Sequence, residues 1–286
     1  MQEYKARFID FLLKTGALKV FENSSGDRTL KSKRISPWFI NIGDFDDGET
    51  STALGQFYAN AIMGCGDQFD LLYGIPDKGR EIAVSVSNEM AKEGKNIPRF
   101  STRRVPKDHG EASAVQTYGD ARTVKEFLAK MQGLSQENRI KAWVIGRAPK
   151  NDQSIVQLDD VFTAGDAKYE ALDMLKFLGD FSLPLLAIGV DRQEVGIDAS
   201  GRSAIEKYEE KTGTRVVSIV NAVDVYNILK ERSLASERAL ERLANYLLVY
   251  GTKDARAAVG KGLEERIIDK DRSVIPACDV PLMVKN

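Results

Sequence analysis

The chain has 286 residues and a formal net charge of −1, with 43% hydrophobic and 29% charged residues. These values are ordinary for a globular protein with one large core, and the near-zero charge gives no general attraction to nucleic acid or membranes. Its two cysteines are too few for a disulfide framework or a zinc site, so we expect reduced thiols. The charged first ten residues do not read as a signal peptide, and apolar runs fall short of the roughly 20 residues of a membrane span. We therefore expect a soluble, cytoplasmic protein.

Helical and strand patterns alternate in the first part of the chain. Apolar spacing predicts helices over Tyr4–Leu18, Glu49–Met63 and Arg80–Ala91, and buried strands over Phe69–Tyr73 and Ile97–Val105.

A basic stretch between the first two helices runs into aromatic residues. Lys31, Lys33 and Arg34 lie just before Trp38 and Phe39. Three cations beside an aromatic platform suit a flat anionic ligand. A solvated basic turn followed by a buried aromatic edge gives the same pattern.

Two later loops carry cations after predicted strands. The loop 74–79 contains Lys78 between glycines, and its backbone N–H groups could hold a diphosphate, although a plain strand-to-helix turn is equally compatible. The charged segment 103–111 contains the only histidine. It is typical either of a solvated surface loop or of a lid that closes over a bound polyanion and supplies cations. The cations of this segment are Arg103, Arg104, Lys107 and His109.

The second part of the chain continues the alternation. We predict a short helix around 124–131 and a strand at Ala142–Gly146, then strands over 155–158, Leu183–Val190 and Arg215–Val220. Helices are predicted over Ser203–Thr212 and across Val223–Val249. This order indicates an α/β fold with a mainly parallel twisted sheet flanked by helices. Ligands of such folds bind at the carboxyl ends of the strands.

The segment 155–170, IVQLDDVFTAGDAKYE, is the most informative stretch. A buried strand ends in Asp159 and Asp160, and a turn containing Thr163 and Gly165 precedes a helix. A helix start offers unpaired N–H groups that bind phosphate. Two carboxylates beside a phosphate site are useful only if they hold a metal ion or the two hydroxyls of a ribose.

This segment closely resembles the 5-phosphoribosyl-1-pyrophosphate (PRPP) motif of type I phosphoribosyltransferases. Five motifs then follow the order seen in the orotate phosphoribosyltransferase family: TLKSKRISPWFIN, FDLLYGIPDKG, RRVPKDHGE, LDDVFTAG and DRQE. The resemblance covers roughly residues 1–230, without 114–152. It implies a type I phosphoribosyltransferase fold with a small N-terminal hood (1–45), a core (46–230) with an insertion (114–152), and a helical C-terminal extension (231–286).

The resemblance also implies a function and a set of site residues. The enzyme, a pentosyltransferase of pyrimidine biosynthesis, would transfer the phosphoribosyl group to orotate, giving orotidine 5′-monophosphate and pyrophosphate. The catalytic residues would be Lys107, His109, Asp159 and Asp160. PRPP would be bound by these four and by Lys78, Arg103, Arg104, Thr163, Ala164, Gly165, Asp166 and Ala167. Orotate would be bound by Lys31, Phe39, Ile40, Thr163 and Arg192.

Mg²⁺ is implied as the cofactor, held mainly by PRPP and water, and a homodimer with shared active sites is implied as the assembly. The chain departs from the family pattern at Lys33, Asp77, Asp166 and Glu111–Ser113. Two alternative functions stay open at this point: a phosphoribosyltransferase for another nucleobase, and a catalytically silent regulator that keeps the PRPP fold.

Overall fold

A computed structural model describes residues 2–30, 32–42, 45–107, 121–162, 165–196 and 200–260. Within these ranges the helices are α1 (Gln2–Lys14), α2 (Gly48–Gly64), α3 (Lys78–Lys92), α4 (Val124–Lys130), α5 (Gln136–Trp143), α6 (Asp166–Leu178), α7 (Ala204–Thr212), α8 (Ala222–Glu231) and α9 (Glu237–Tyr250). Residues 253–260 are also helical.

The strands of the described ranges are β1 (Leu18–Val20), β2 (Arg28–Thr29), β3 (Ile35–Ser36), β4 (Trp38–Ile40), β5 (Leu71–Gly74), β6 (Arg99–Thr102), β7 (Val144–Gly146), β8 (Ser154–Leu158), β9 (Val161–Phe162), β10 (Ser182–Asp191) and β11 (Arg215–Asn221).

The central sheet has the order β11-β10-β8-β5-β6-β7, and β9 extends it beside β10. All its pairs are parallel except β6 with β7, which closes one edge antiparallel. Both faces are covered by helices, which explains why the strands read as continuous apolar runs. Leu72 and Val156 pack on one face with α2 and α3, and Leu71 and Ile155 pack on the other with α6. The predicted α/β fold with a mainly parallel sheet is confirmed.

The N-terminal segment packs against the C-terminal helices. β1 pairs antiparallel with β4, and β2 pairs with β3. α1 lies on α8 and β11, where its Phe8, Ile9 and Leu12 are fully buried, and α9 contacts β1. Three groups of ion pairs join these parts of the chain: Lys5–Asp224, Arg232 with Glu3 and Asp10, and Arg242–Asp27.

Some boundaries differ from the sequence prediction. Gly16 takes a φ of 72° after the end of α1, so Leu18 belongs to a strand and not to the first helix. The predicted strand 142–146 begins only at Val144, because Ala142 and Trp143 close α5, a helix that the apolar pattern missed. The long helical pattern 223–249 is two helices, since Ser233 has a φ of 53° and Ser236 caps α9.

Helices α4 and α5 lie within the predicted insertion. Phe127 and Trp143 pack with Met174 and Leu178 of α6, so this segment covers the outer side of that helix. In the part of the chain that the structure describes, no helix combines the length and apolar character needed to cross a bilayer.

Candidate active site

The carboxyl ends of three neighbouring parallel strands bring the predicted site residues to one edge of the sheet. Gly74 at the end of β5 pairs with Leu158 at the end of β8, and Leu158 pairs with Ala187 of β10. The loops after these strands contain Lys78, the acidic pair, and Arg192. The sequence placed these residues together only by the general rule for parallel sheets, and the register confirms that placement.

Lys78 lies at the start of α3 and faces residues 159–162, here called the acidic turn. Its Nζ donates to Oδ1 of Asn41 at 2.8 Å and lies 3.6 Å from Oδ2 of Asp160. The loop reaches this position because residue 79 is glycine: a Cβ there would lie 2.1 Å from the carbonyl oxygen of Leu158. The loop 74–79 and the acidic turn are therefore in direct contact.

The two adjacent aspartates have different surroundings. Both carboxylate oxygens of Asp159 are engaged within the protein: Oδ1 accepts the Asp160 N–H at 2.9 Å, and Oδ2 lies 2.6 Å from Nζ of Lys168. Burial raises the pKa of Asp159 to about 6, against the opposing effect of Lys168. Asp160 accepts the Val161 N–H at 2.7 Å through Oδ1 and keeps Oδ2 on the Lys78 side.

Helix α6 begins at Asp166, a few residues beyond the acidic pair. Gly165 precedes it with a φ of 87°, a left-handed conformation that favours glycine. Asp166 is exposed and Ala167 half-buried in the first turn, where backbone N–H groups lack intrahelical acceptors. Thr163 and Ala164, also predicted as phosphate ligands, lie outside the described residues.

Two residues that the sequence reasoning missed hold the acidic turn from opposite sides. Lys168 is one of them. Tyr58 of α2 is the other: its hydroxyl donates to the carbonyl oxygen of Asp159 at 2.8 Å and lies 3.3 Å from that of Asp160. A Cβ at residue 189 would come within 2.9 Å of this hydroxyl, so Gly189 leaves the room that it needs.

Arg192 lies at the end of β10 against the aromatic stretch of β4. Its Nε lies 2.7 Å from Glu194, its Nη2 donates to Oγ of Ser36 at 3.0 Å, and its guanidinium stacks 4.2 Å from the Trp38 ring centroid. Glu194 also pairs with Arg34 at 3.2 Å. The predicted base-binding residues Phe39 and Ile40 are half-buried and buried in the same strand. Lys31 lies outside the described residues.

The first part of the predicted lid is fixed by its backbone. The N–H of Arg103 donates to the Trp143 carbonyl at 2.9 Å, and the N–H of Lys107 donates to that of Ala142 at 2.8 Å. Arg104 is exposed and pairs with Asp77 through Nε, at 2.9 and 3.0 Å from the two carboxylate oxygens. His109 lies outside the described residues.

The described residues contain no group of three or more histidine, cysteine or acidic side chains arranged to hold a metal ion.

Comparisons with known proteins show which family this chain resembles. An orotate phosphoribosyltransferase of Xanthomonas campestris is 31% identical over 225 residues, which cover 79% of this chain and 86% of that protein. One of Stenotrophomonas maltophilia is 30% identical over 257 residues, covering 90% of this chain and all of the other. No family model matches the chain.

Comparison with solved structures gives a consistent result. The crystal structure of orotate phosphoribosyltransferase from Francisella tularensis has a TM-score of 0.64 and 26% identity, covering 86% of this chain and 96% of that one. The UMP synthase of Leishmania donovani has a TM-score of 0.59 at 18% identity, covering 86% and 42% of the two chains, and shows the fold alone. The fold is that of a type I phosphoribosyltransferase. Within that class, the chain belongs to the orotate phosphoribosyltransferase family.

Proposed function

We propose that this protein transfers the 5-phosphoribosyl group from PRPP to orotate, giving orotidine 5′-monophosphate and pyrophosphate on the route to UMP. The proposal is carried by family membership over most of the chain. At one edge of the sheet of this protein, Lys78, Asp160 and the start of α6 come together. The Lys78 cation suits the diphosphate of PRPP, and the Asp160 carboxylate suits the ribose hydroxyls. The N-terminus of α6 suits the 5-phosphate.

On this proposal, the sugar diphosphate lies across the acidic turn. Lys78 contacts the pyrophosphate, the acidic pair faces the ribose, and Thr163–Ala167 surround the 5-phosphate. Arg103, Arg104, Lys107 and His109 cover the leaving group. Within one chain, Arg104 pairs with Asp77, the residue before Lys78.

Orotate is assigned to the pocket between β4 and Arg192. The guanidinium stacked on Trp38 is held by Ser36 and Glu194, so its orientation is fixed before a ligand arrives. An arginine fork matches a carboxylate in geometry, which suits the carboxylate of orotate. Lys31 would be the second cation, with Phe39, Ile40 and Thr163 beside the base.

The reaction is a displacement of pyrophosphate at C1 of ribose by a ring nitrogen of orotate. Positive charge develops on the sugar and negative charge on the leaving group, so the lid cations stabilise the departing pyrophosphate. One preorganised donor of this kind contributes roughly 3–4 kcal/mol to transition-state stabilisation. Orotate loses its ring proton readily, so no protein base is needed. We therefore assign Lys107 and His109 to the leaving group and not to base catalysis.

Magnesium would enter with the diphosphate. The described residues provide no closed cage of metal ligands, and Asp160, whose Oδ2 lies on the Lys78 side, is the carboxylate that could contact a diphosphate-bound cation. Mg²⁺ prefers phosphate and water oxygens with one or two carboxylates, which fits this donor set. It would supply Lewis-acid stabilisation of the leaving pyrophosphate.

We also infer a cytoplasmic homodimer in which the lid of one subunit covers the diphosphate of its partner. The dimer follows from family resemblance, and the exposure of Arg104 is compatible with it.

The test is direct. Protein is mixed with Mg²⁺, PRPP and orotate, and the loss of orotate absorbance is followed, with uracil, hypoxanthine and adenine as parallel acceptors. We expect turnover with orotate alone. Consumption of another base in its place would overturn the acceptor assignment, and PRPP binding without turnover of any base would indicate a silent regulator.

A further inference from the structure

Lys168 is a buried lysine whose ammonium group contacts the acidic turn. It lies in the first turn of α6 with a side chain that is 6% exposed. Its Nζ lies 2.6 Å from Oδ2 of Asp159, donates to the carbonyl oxygen of Val161 at 2.6 Å, and lies 5.4 Å from the Phe162 ring centroid. A single ammonium group thus links the helix to both ends of the segment 159–162.

This pairing leaves the two aspartates unequal. The Asp159 side chain is 8% exposed, with Lys168 on one oxygen and the Asp160 N–H on the other. The Asp160 side chain is 18% exposed, and its Oδ2 faces Lys78. Both partners of the inner pair are satisfied within the protein, whereas the outer carboxylate remains directed toward the cations of the site.

We propose that Lys168 is a positioning residue of the sugar site: its buried ion pair with Asp159 fixes the acidic turn, so that Asp160 alone is the carboxylate that receives the ribose hydroxyls. This inference deepens the proposed function and rests on it. It assigns a role to a residue outside the predicted site, and it changes the role of Asp159 from ligand contact to internal anchor.

The physical chemistry of buried pairs gives this proposal a sharp signature. Removal of one partner leaves an uncompensated buried charge, whereas removal of both by groups of similar volume is often nearly neutral. Lys168→Met leaves the Asp159 carboxylate unpaired, and Asp159→Asn leaves the Lys168 ammonium without its counterion. Each single variant should disturb the turn, and the double variant should restore it.

The experiment measures PRPP affinity by calorimetry with Mg²⁺, using single variants at Lys168, Asp159 and Asp160 and the double variant D159N/K168M. We expect K168M and D159N each to weaken PRPP binding by roughly tenfold or more. The double variant should return to within about threefold of wild type, since it retains no unpaired charge. D160N should weaken binding, and the combination D160N/K168M should weaken it further.

The matched control is Lys176→Met, which removes an exposed lysine of the same helix. It should bind PRPP as wild type does. Thermal unfolding of each variant shows that the chain is folded, and if one single variant does not fold, the double variant and D160N still decide the question.

Two results would overturn the inference. A double variant no better than D159N would mean that Asp159 itself contacts the sugar, and wild-type affinity in D160N would remove Asp160 from the site. Failure of the proposed function is a separate outcome, because it would appear as absence of PRPP binding in the wild-type protein.

Discussion

Tyr58 and Asp159 are 101 residues apart in the chain, yet the tyrosine hydroxyl donates to the aspartate's main-chain oxygen at 2.8 Å. Tyr58 is fully buried, and burial is the main cause that raises the pKa of its hydroxyl well above the ordinary value. The hydroxyl therefore stays protonated and remains a donor at physiological pH. Helix α2 thus supports the acidic turn from the opposite side to Lys168.

Tyr58→Phe should weaken both stability and sugar binding. The change leaves a buried carbonyl without its donor, which costs about 1–3 kcal/mol of unfolding free energy. Urea denaturation and PRPP calorimetry measure the two effects. Tyr4→Phe is the control, because Tyr4 also donates to a backbone carbonyl, that of Phe57 in α2, but not in the turn. It should lower stability and leave PRPP affinity unchanged; equal loss of affinity in both variants would contradict the role of Tyr58.

Gly79→Ala should separate the loop 74–79 from the acidic turn. The added Cβ would lie 2.1 Å from the carbonyl oxygen of Leu158, so the backbone must shift, at a cost of about 1–3 kcal/mol. We expect a lower unfolding free energy and weaker PRPP binding. Gly64→Ala at the end of α2 meets no atom within 4 Å and should not be destabilising. A Gly79 variant as stable as the Gly64 variant would show that the contact is not tight.

Arg192→Lys should act on orotate far more than on PRPP. Lysine keeps the charge but loses the planar fork and its fit on Trp38, so the KM for orotate should rise roughly tenfold or more. Steady-state kinetics with each substrate varied in turn measures the difference. Arg202→Lys is the control, since Arg202 is an exposed arginine that also pairs with a glutamate, Glu210. An equal rise of both KM values in the Arg192 variant would remove this residue from the base pocket.

Asp191→Asn should change the pH dependence of stability. Burial, together with the nearby Glu206, Glu194 and Glu209 carboxylates, raises the pKa of Asp191 from 3.8 to about 6, although the Gln193 N–H opposes this effect. The folded chain therefore binds this proton more tightly than the unfolded chain, and the charged carboxylate lowers stability above pH 6. The wild-type protein regains that stability as the pH falls from about 6 toward 3.8.

The asparagine variant lacks this charge. It should be more stable than wild type at about pH 7.5, by at most about 3 kcal/mol, and should lose its advantage near pH 4. Urea denaturation at the two pH values is the measurement. Asp173→Asn changes an exposed aspartate of α6 and should show no such difference. An advantage of Asp191→Asn that grew on acidification would contradict the assignment.

Lys33→Gly should stabilise the basic turn. Lys33 is exposed and has a φ of 65°, a left-handed conformation that costs a non-glycine residue about 1 kcal/mol. Glycine removes that strain, so the unfolding free energy should rise by up to about 1 kcal/mol. Lys33→Ala is the matched control, because it removes the charge but keeps the Cβ. An equal gain in the alanine variant would assign the effect to the side chain and not to the backbone.

The sequence predicted the sheet well because its strands are buried on both faces and read as unbroken apolar runs. It also placed Lys78, Asp160 and Arg192 at one edge, since parallel strands end on the same side. It missed α5, QENRIKAW, because this short helix carries few apolar residues for a periodic pattern.

Local sequence patterns could not identify the residues that bind the acidic turn. Lys168 did leave a signal, since it lies three and four residues before Ala171 and Leu172 and so shares their buried face. A lysine on that face needs a counterion, although its identity depends on the tertiary fold. Nothing local distinguished Tyr58 from an ordinary core tyrosine, because the acceptor of its hydroxyl comes from a distant loop.

The packing of α9 against the N-terminal strand β1 has a consequence for truncation of this enzyme. Helix α9 contacts β1, and β1 pairs with β4, the strand that carries Trp38, Phe39 and Ile40. Arg242 of α9 donates to the Phe21 carbonyl and pairs with Asp27, both in the segment between β1 and β4. If orotate and PRPP bind as proposed, truncation after α8 would thus act first on acceptor recognition. The proposed donor-sugar site, assembled from β5, β8 and α6, would keep its own supports.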